Sequence, residues 1–167
     1  HDLVEWEARG MLQLGIGARW RGKPDLARRQ FARALALLAD TDLLAVRAAV
    51  LIEWARVDAD EGRIAASTRR LDAALPHIDR DSAPDALVVA ASLLLGADLP
   101  EEAARTLGAV DRARSAGALV ESPLERGHRT ALSRRIETAL GEDRMAAALG
   151  GGAGETATVL RYALDRL

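Results

Sequence analysis

Apolar and small residues recur along this chain at intervals of three to five, the spacing of amphipathic helices and not of strands. Leu3, Trp6, Met11, Leu14 and Ala18 form the first such stripe and predict a helix from Leu3 to about Arg21. Gly22 stops it, and Pro24 opens the next at a position where its missing N–H costs little. The second helix, Pro24 to Leu38, carries Ala27, Phe31, Ala34 and Leu38 on one stripe. Asp40-Thr41-Asp42 reads as a turn, with Thr41 or Asp42 capping a third helix from about Leu43 to Glu61. A fourth, Arg63 to Ile78, places Ile64, Thr68, Leu71, Leu75 and Ile78 on one face, and Pro76 threatens to end it early. Ser82 is a candidate N-cap for a fifth helix, Pro84 to Leu95, which is apolar nearly all round, as an interior helix would be. Pro100 and Glu101-Glu102 open a sixth that ends near Ala116-Gly117. Ser122-Pro123-Leu124-Glu125 spells a capping box for a seventh. Its stripe is Leu124, His128, Leu132, Ile136 and Leu140, and Gly141 ends it. A short helix from Glu142 to Leu149, a flexible break at Gly150–Gly154 and a last helix from Glu155 to Leu167 complete the chain. The last is expected to bury Leu160, Leu164 and Leu167.

The turns recur in register. Gly22, Gly62 and Asp98 each precede a small residue by five positions: Ala27, Ser67 and Ala103. Each of those precedes a bulky residue by four: Phe31, Leu71 and Leu107. Successive turn residues are 40 and 36 positions apart. The pair from Met11 to Ala39 resembles a tetratricopeptide repeat, W-x2-L-G-x2-Y…A-x3-F…P. Leu14-Gly15, Ala27 and Phe31 match it. Met11 stands for the Trp, Ala18 for the Tyr and Ala39 for the Pro. In the second unit Trp54-Ala55 takes the Leu-Gly place, and in the third Asp98 replaces the turn glycine. The resemblance implies an all-α fold of about eight or nine helices, with antiparallel pairs stacked as a tetratricopeptide-like right-handed superhelix. We expect one repeat domain over 1–167, with units at about 3–40, 42–80 and 84–117 and capping helices over 122–167.

Composition agrees and narrows the function. Hydrophobic residues are 49% of the chain but aromatics only 3%, so the core must come from Ala, Leu, Val and Ile. Charge is mixed, at 29% of residues with a net of −2, against the strongly basic face that nucleic acid requires. The chain has no Cys, which removes disulfides and thiolate chemistry and fits a reducing, cytoplasmic setting. No run approaches the about 18 apolar residues of a membrane span. No signal peptide is visible, and the start at His1-Asp2 reads as that of a piece excised from a longer protein. Lys23 is the sole lysine, which reads as codon usage.

The second half carries a further resemblance. Ala103-Ala104-Arg105, Leu107-Gly108-Ala109, Pro123 with Glu125-Arg126, Ala139-Leu140-Gly141-Glu142, Ala146 and Gly150 follow a recurring order. It resembles the tail of the tetratricopeptide sensor region in bacterial STAND and LuxR-type ATPase-coupled regulators. That resemblance covers roughly 43–167. It implies a parent chain with an upstream P-loop ATPase domain and a sensor that reads a partner or inducer.

Several tempting motifs have plainer readings. Gly17 to Lys23 spells G-x-x-x-x-G-K, but Pro24 stands where a P-loop needs Ser or Thr, and a helix precedes it. The glycine run at 150–154 has neither a preceding strand nor a lysine, so it reads as a linker. His1, His77 and His128 lack H-x3-H or H-E-x-x-H spacing, so no metal site is expected, and His128 reads as a packed, hydrogen-bonded side chain. Asp58/Asp60/Glu61, Asp79/Asp81 and Glu101/Glu102 read as caps and solvated charges. Arg28-Arg29-Arg33, Arg69-Arg70 and Arg134-Arg135 read as solvated outer faces. Ser92 and Ser133 have no evident His-Asp partners, so no catalytic residue and no cofactor is assigned.

The repeat register places Arg9, Gln13, Arg19 and Trp20 toward a concave groove from the first unit. Glu53, Arg56 and Asp60 follow from the second and Ser92 from the third. Arg and Trp dominate binding hot spots, so Trp20 and Arg56 are the expected anchors, and packing of Trp20 on a further repeat is the alternative. These features predict a non-enzymatic, cytoplasmic sensor or interaction domain of a bacterial regulator. It would bind a protein or peptide segment, with no direct contact to nucleic acid or membrane. A free-standing repeat adaptor and a small-molecule-binding helical domain are the alternatives.

Overall fold

In the computed structural model the described residues, 2–117, 121–150 and 154–167, form nine α-helices and no strand. They are α1 (Asp2–Trp20), α2 (Pro24–Leu37), α3 (Leu44–Asp60), α4 (Ile64–Ala74), α5 (Ala83–Gly96), α6 (Pro100–Gly117), α7 (Pro123–Leu140), α8 (Glu142–Gly150) and α9 (Thr156–Leu164). The chain gathers into two compact units, His1–Ile78 and Asp79–Leu167. No helix among the described residues is long and apolar enough to cross a membrane.

The recurring turn has one hydrogen-bond design. The N–H groups of Lys23, Arg63 and Leu99 reach back to the carbonyls of Ala18, Asp58 and Leu94 at 3.0, 2.8 and 2.9 Å. Those of Gly22, Gly62 and Asp98 reach Arg19, Ala59 and Leu95 at 2.9, 3.0 and 3.2 Å. This is the Schellman pair, which satisfies the last carbonyls of a helix and needs a left-handed residue just past its end. Gly22, Gly62 and Asp98 supply it, with φ of 65°, 70° and 62°. Five residues on, Ala27, Ser67 and Ala103 are fully buried, and the bulky residues after them, Phe31, Leu71 and Leu107, are at most 2% exposed. The Ser67 hydroxyl, inside the core, donates to the Ala55 carbonyl at 2.7 Å and ties α4 to α3.

In the first unit α1 packs on α2, α3 on α4, and α2 and α1 on α3. Ala8, Leu12, Ala18, Ala27, Phe31, Ala34, Leu38, Val46, Val50 and Val57 form the core, with Trp54 packed at its edge. A Cβ on Gly15 would stand 2.7 Å from Phe31 Cδ1, so only glycine lets the chain's sole phenylalanine fill the space between α1 and α2. In the second unit α6 is central, touching α5, α7, α8 and α9. Its Gly108 passes so close to Leu149 that a Cβ would strike that residue's carbonyl oxygen.

Some boundaries differ from the sequence reading, each for a local reason. Leu43, not Thr41 or Asp42, caps α3, without a side-chain bond. The Thr41 hydroxyl donates to the Leu38 carbonyl instead, at 3.1 Å, and Arg47 reaches back to the carbonyls of Leu38 and Ala39. α4 ends at Ala74, and Pro76 lies in a 3₁₀ turn, Leu75–His77. Its buried line is Ser67, Leu71 and Ala74, one step round from the predicted stripe, because Ser67 seats against α3. Ser82 does not cap α5 with its side chain. Asp79 and Ser82 form a reciprocal box instead: Asp79 Oδ1 accepts from the Ser82 N–H at 2.8 Å, and Ser82 Oγ accepts from the Asp79 N–H at 3.1 Å. The capping box at Ser122 and Glu125 is complete, at 3.2 and 2.8 Å. α7 buries Leu132, Ile136 and Leu140, whereas Leu124 and His128 are exposed, so His128 is not packed as expected. α9 is shorter than anticipated and buries Leu160, Ala163 and Leu164, leaving Leu167 half-buried. Of the predicted glycine-rich break, 151–153 lie outside the described residues.

Candidate functional site

The C-terminal halves of α1 and α3 bring five predicted groove residues together. Arg19 Nε stands 3.6 Å from Glu53 Oε2, and Arg19 Nη1 stands 3.5 Å from Asp60 Oδ2. Arg56 Nε lies 3.3 Å from Glu53 Oε1. The Arg19 guanidinium also lies over the Trp20 ring, 4.2 Å from its centroid, close enough for cation–π attraction. Helical spacing produces the cluster: Glu53, Arg56 and Asp60 are three and four apart on α3 and share a face. Burial holds the Arg19 pKa below its ordinary value and the positive charge of Arg56 adds to that, while Glu53 and Asp60 pull it back up. Arginine nevertheless stays cationic in proteins.

Depth divides the cluster. The side chains of Arg19, Arg56 and Glu53 are 7%, 8% and 14% exposed, and that of Asp60 is 47% exposed. Arg56, an expected anchor, is therefore buried against its own unit, and the surface offered to a partner consists of Asp60 with half-buried Trp20. Arg9 and Gln13 are exposed on α1, Arg9 in an i,i+4 pair with Glu5 at 2.8 Å. Ser92 lies half-buried on α5, in the second unit. A small open cavity of about 130 Å³ adjoins the cluster, lined by Arg19, Gly22, Pro24, Val57, Asp60 and Glu61. Arg19 and Gly22 of its lining belong to the G-x-x-x-x-G-K run.

A second charged centre escaped the sequence reading. Asp58 on α3 is fully buried. Its Oδ1 accepts from Nε and Nη2 of Arg28 on α2, both at 3.1 Å. Arg70 Nη1, from α4, lies 3.1 Å from Oδ2 in ion-pair contact but out of line for a hydrogen bond, and Arg63 Nη1 stands 3.7 Å from Oδ1. Arg28 also pairs with Glu61 and Asp25, and Arg70 stacks over Trp54 at 4.2 Å. Burial works to lower the Arg28 pKa, but the hydrogen bonds to Glu61 and Asp58 win and raise it. For Arg70 burial wins over Asp58, and the pKa falls. Asp58 is thus no solvated cap, and Arg28 and Arg70 are no solvated face. The signal lay in the register: Asp58 occupies the place of Ala18 and Leu94, both buried.

The second unit has its own version. Glu121, with a side chain 8% exposed, accepts from Arg129 Nε and Nη2 at 3.0 and 3.2 Å. Arg114 and Arg126 stand 3.6 and 3.7 Å away. The hydrogen bonds from Arg129 hold the Glu121 carboxyl below its usual range against the opposing effect of burial, helped by the charge of Arg114.

Comparison with protein families, with curated proteins and with solved structures finds no match to this chain.

Proposed function

We propose that this chain is a tetratricopeptide-like repeat domain that acts by gripping a protein or peptide segment, within a cytoplasmic bacterial signalling or transcription regulator. The observation that carries the reading is the thrice-repeated turn, with the same Schellman bonds followed by a buried small residue and a buried bulky one in fixed register. Helix pairs built alike can nest in series, and a right-handed superhelix of such pairs presents a curved binding face. Arg9, Gln13, Trp20 and Asp60 would supply contacts on that face. Arg19, Glu53 and Arg56 would hold Trp20 and Asp60 in place from below, since their side chains are mostly buried. An upstream ATPase domain in the parent chain would read the occupied state.

A random-peptide display library panned on the folded chain tests this. Enriched peptides should lose about tenfold or more in affinity to the Trp20→Ala and Asp60→Ala variants, the scale of a hot-spot truncation. Enrichment no greater than on the urea-unfolded chain, or peptides indifferent to both substitutions, would overturn the reading.

A further inference from the structure

The outer face of α1 repeats the pattern of a face that is covered elsewhere in the same unit. Leu3, Trp6, Gly10, Leu14 and Gly17 stand forty residues before Leu43, Val46, Val50, Trp54 and Val57. On α3 these places are core: Val46, Val50 and Val57 are at most 3% exposed, and Leu43 and Trp54 pack against the same cluster. What covers them is the preceding pair, α1 and α2. On α1 four of the five places are open, and the Arg21 side chain lies over the fifth, Gly17. Leu3, Trp6 and Leu14 are 81%, 74% and 54% exposed, and a Cβ on Gly10 would meet nothing within 4 Å. A Cβ on Gly17 would meet only the Arg21 side chain of its own helix.

Two glycines on one helix face weaken the helix relative to alanine. Gly15 and Gly108 show what a helical glycine can admit in this chain, the Phe31 ring and the Leu149 backbone, whereas Gly127 on α7 meets nothing within 4 Å.

We propose that a further antiparallel helix pair, encoded directly ahead of these residues, seats on α1 as α1 and α2 seat on α3. Its second helix places large apolar side chains over Gly10 and small ones around Trp6. That is the reverse of the volumes α2 meets on α3, where Val50 and Val57 stand in the glycine places. A second copy pairing α1 with α1 fits less well, since it would lay one helix against the stripe, whereas two helices cover the matching face of α3. The proposal does not depend on peptide binding at Trp20 and Asp60.

The chain has no cysteine, so single-cysteine variants report directly. Leu14→Cys should react with a maleimide as fast as the exposed control Arg33→Cys in the 167-residue chain. In the intact chain from its gene, Leu14→Cys should slow at least tenfold while the control is unchanged. Leu3→Cys serves if Leu14→Cys disturbs the helical circular dichroism. Equal labelling in the intact chain, or a gene with no residues ahead of these, would overturn the proposal. So would protection in the 167-residue chain that grows with its concentration, the mark of a second copy. Protection of Leu14→Cys together with a failed peptide display would leave this inference standing and remove the binding one.

Discussion

Asp58→Asn exposes how much the first unit leans on its buried carboxylate. The substitution keeps the size of the side chain, so it opens no cavity. It removes the charge and turns one acceptor oxygen into an NH₂ donor. With Arg28 on Oδ1 and Arg70 against Oδ2, either orientation of the amide points that donor at a guanidinium. Removing one partner of a buried ion pair costs about 3–5 kcal/mol. Here the arginines are not fully desolvated: the side chains of Arg28, Arg70 and Arg63 are 15%, 25% and 57% exposed. Arg28 also keeps Asp25 and Glu61. Water and those carboxylates offset part of the loss, which brings the expectation to about 2–3 kcal/mol. All three tryptophans, Trp6, Trp20 and Trp54, lie in the first unit, so tryptophan fluorescence in urea follows that unit. At a slope of about 1 kcal/mol/M the midpoint should fall by about 2–3 M. Asp25→Asn is the control: its side chain is 84% exposed, and a surface pair of that kind contributes within about 0.5 kcal/mol. If Asp58→Asn moved the midpoint no further than Asp25→Asn, the idea of Asp58 as the tie between α2, α3 and α4 would be wrong.

Asp98→Gly should stabilise the second unit by about 0.5 kcal/mol. Glycine removes the strain of a left-handed side-chain residue and gives back part of that gain as unfolded-state entropy. Far-UV circular dichroism against urea reads the shift, and a lower midpoint would show that the Asp98 side chain holds the turn. Acid should also weaken the second unit, because Glu121 and Asp79 are both held below their usual pKa. Arg129 is the main cause for Glu121; for Asp79 burial opposes, but the hydrogen bonds from Ser82 prevail. A depressed folded pKa gives stability that is complete above the unfolded value, near about 4 for carboxylates, and lost as pH falls through the folded one. The urea midpoint of the unit should therefore fall steadily below about pH 4, less steeply in Glu121→Gln. A slope unchanged by that substitution would remove Glu121 from the account.

The helices and turns were legible because they rest on short-range signals. Gly22, Gly62, Pro24, Pro100 and the Ser122–Glu125 box act within one turn of chain, and the small-then-bulky register needed only counting. Asp98 fits the same logic: it sits where a left-handed residue is required, and aspartate adopts that conformation more readily than most residues. The errors fell where a side chain answers to a partner that the stripe pattern does not encode. Ser82 spells a cap and stands at that position, yet its side chain pairs with Asp79 three residues earlier and not with α5. His128 and Leu124 continue a stripe that packing meets only farther along α7. Arg56 sits at a groove position and is buried, because Glu53 one turn earlier draws it down. Asp58, within a run of charged residues, reads as solvated until its place is compared with Ala18 and Leu94.

The near absence of lysine gains a physical consequence from these centres. Each unit closes around one carboxylate ringed by arginines, Asp58 by Arg28, Arg63 and Arg70, and Glu121 by Arg114, Arg126 and Arg129. Arg28 holds Asp58 through Nε and Nη2 while Nη1 reaches Asp25 and Nη2 also reaches Glu61. Only a planar fork with several donors can do that from one side chain, and an ammonium is a single point of charge. Arg70 pairs with Asp58 and covers the Trp54 ring at the same time, which guanidinium stacking permits. In a core poor in aromatics, where Ala and Leu supply bulk but little shape, such forks give each helix pair a geometry that apolar packing alone would leave loose. Codon usage can account for how often arginine occurs in this chain; it does not account for arginines converging on the most deeply buried carboxylate of the first unit.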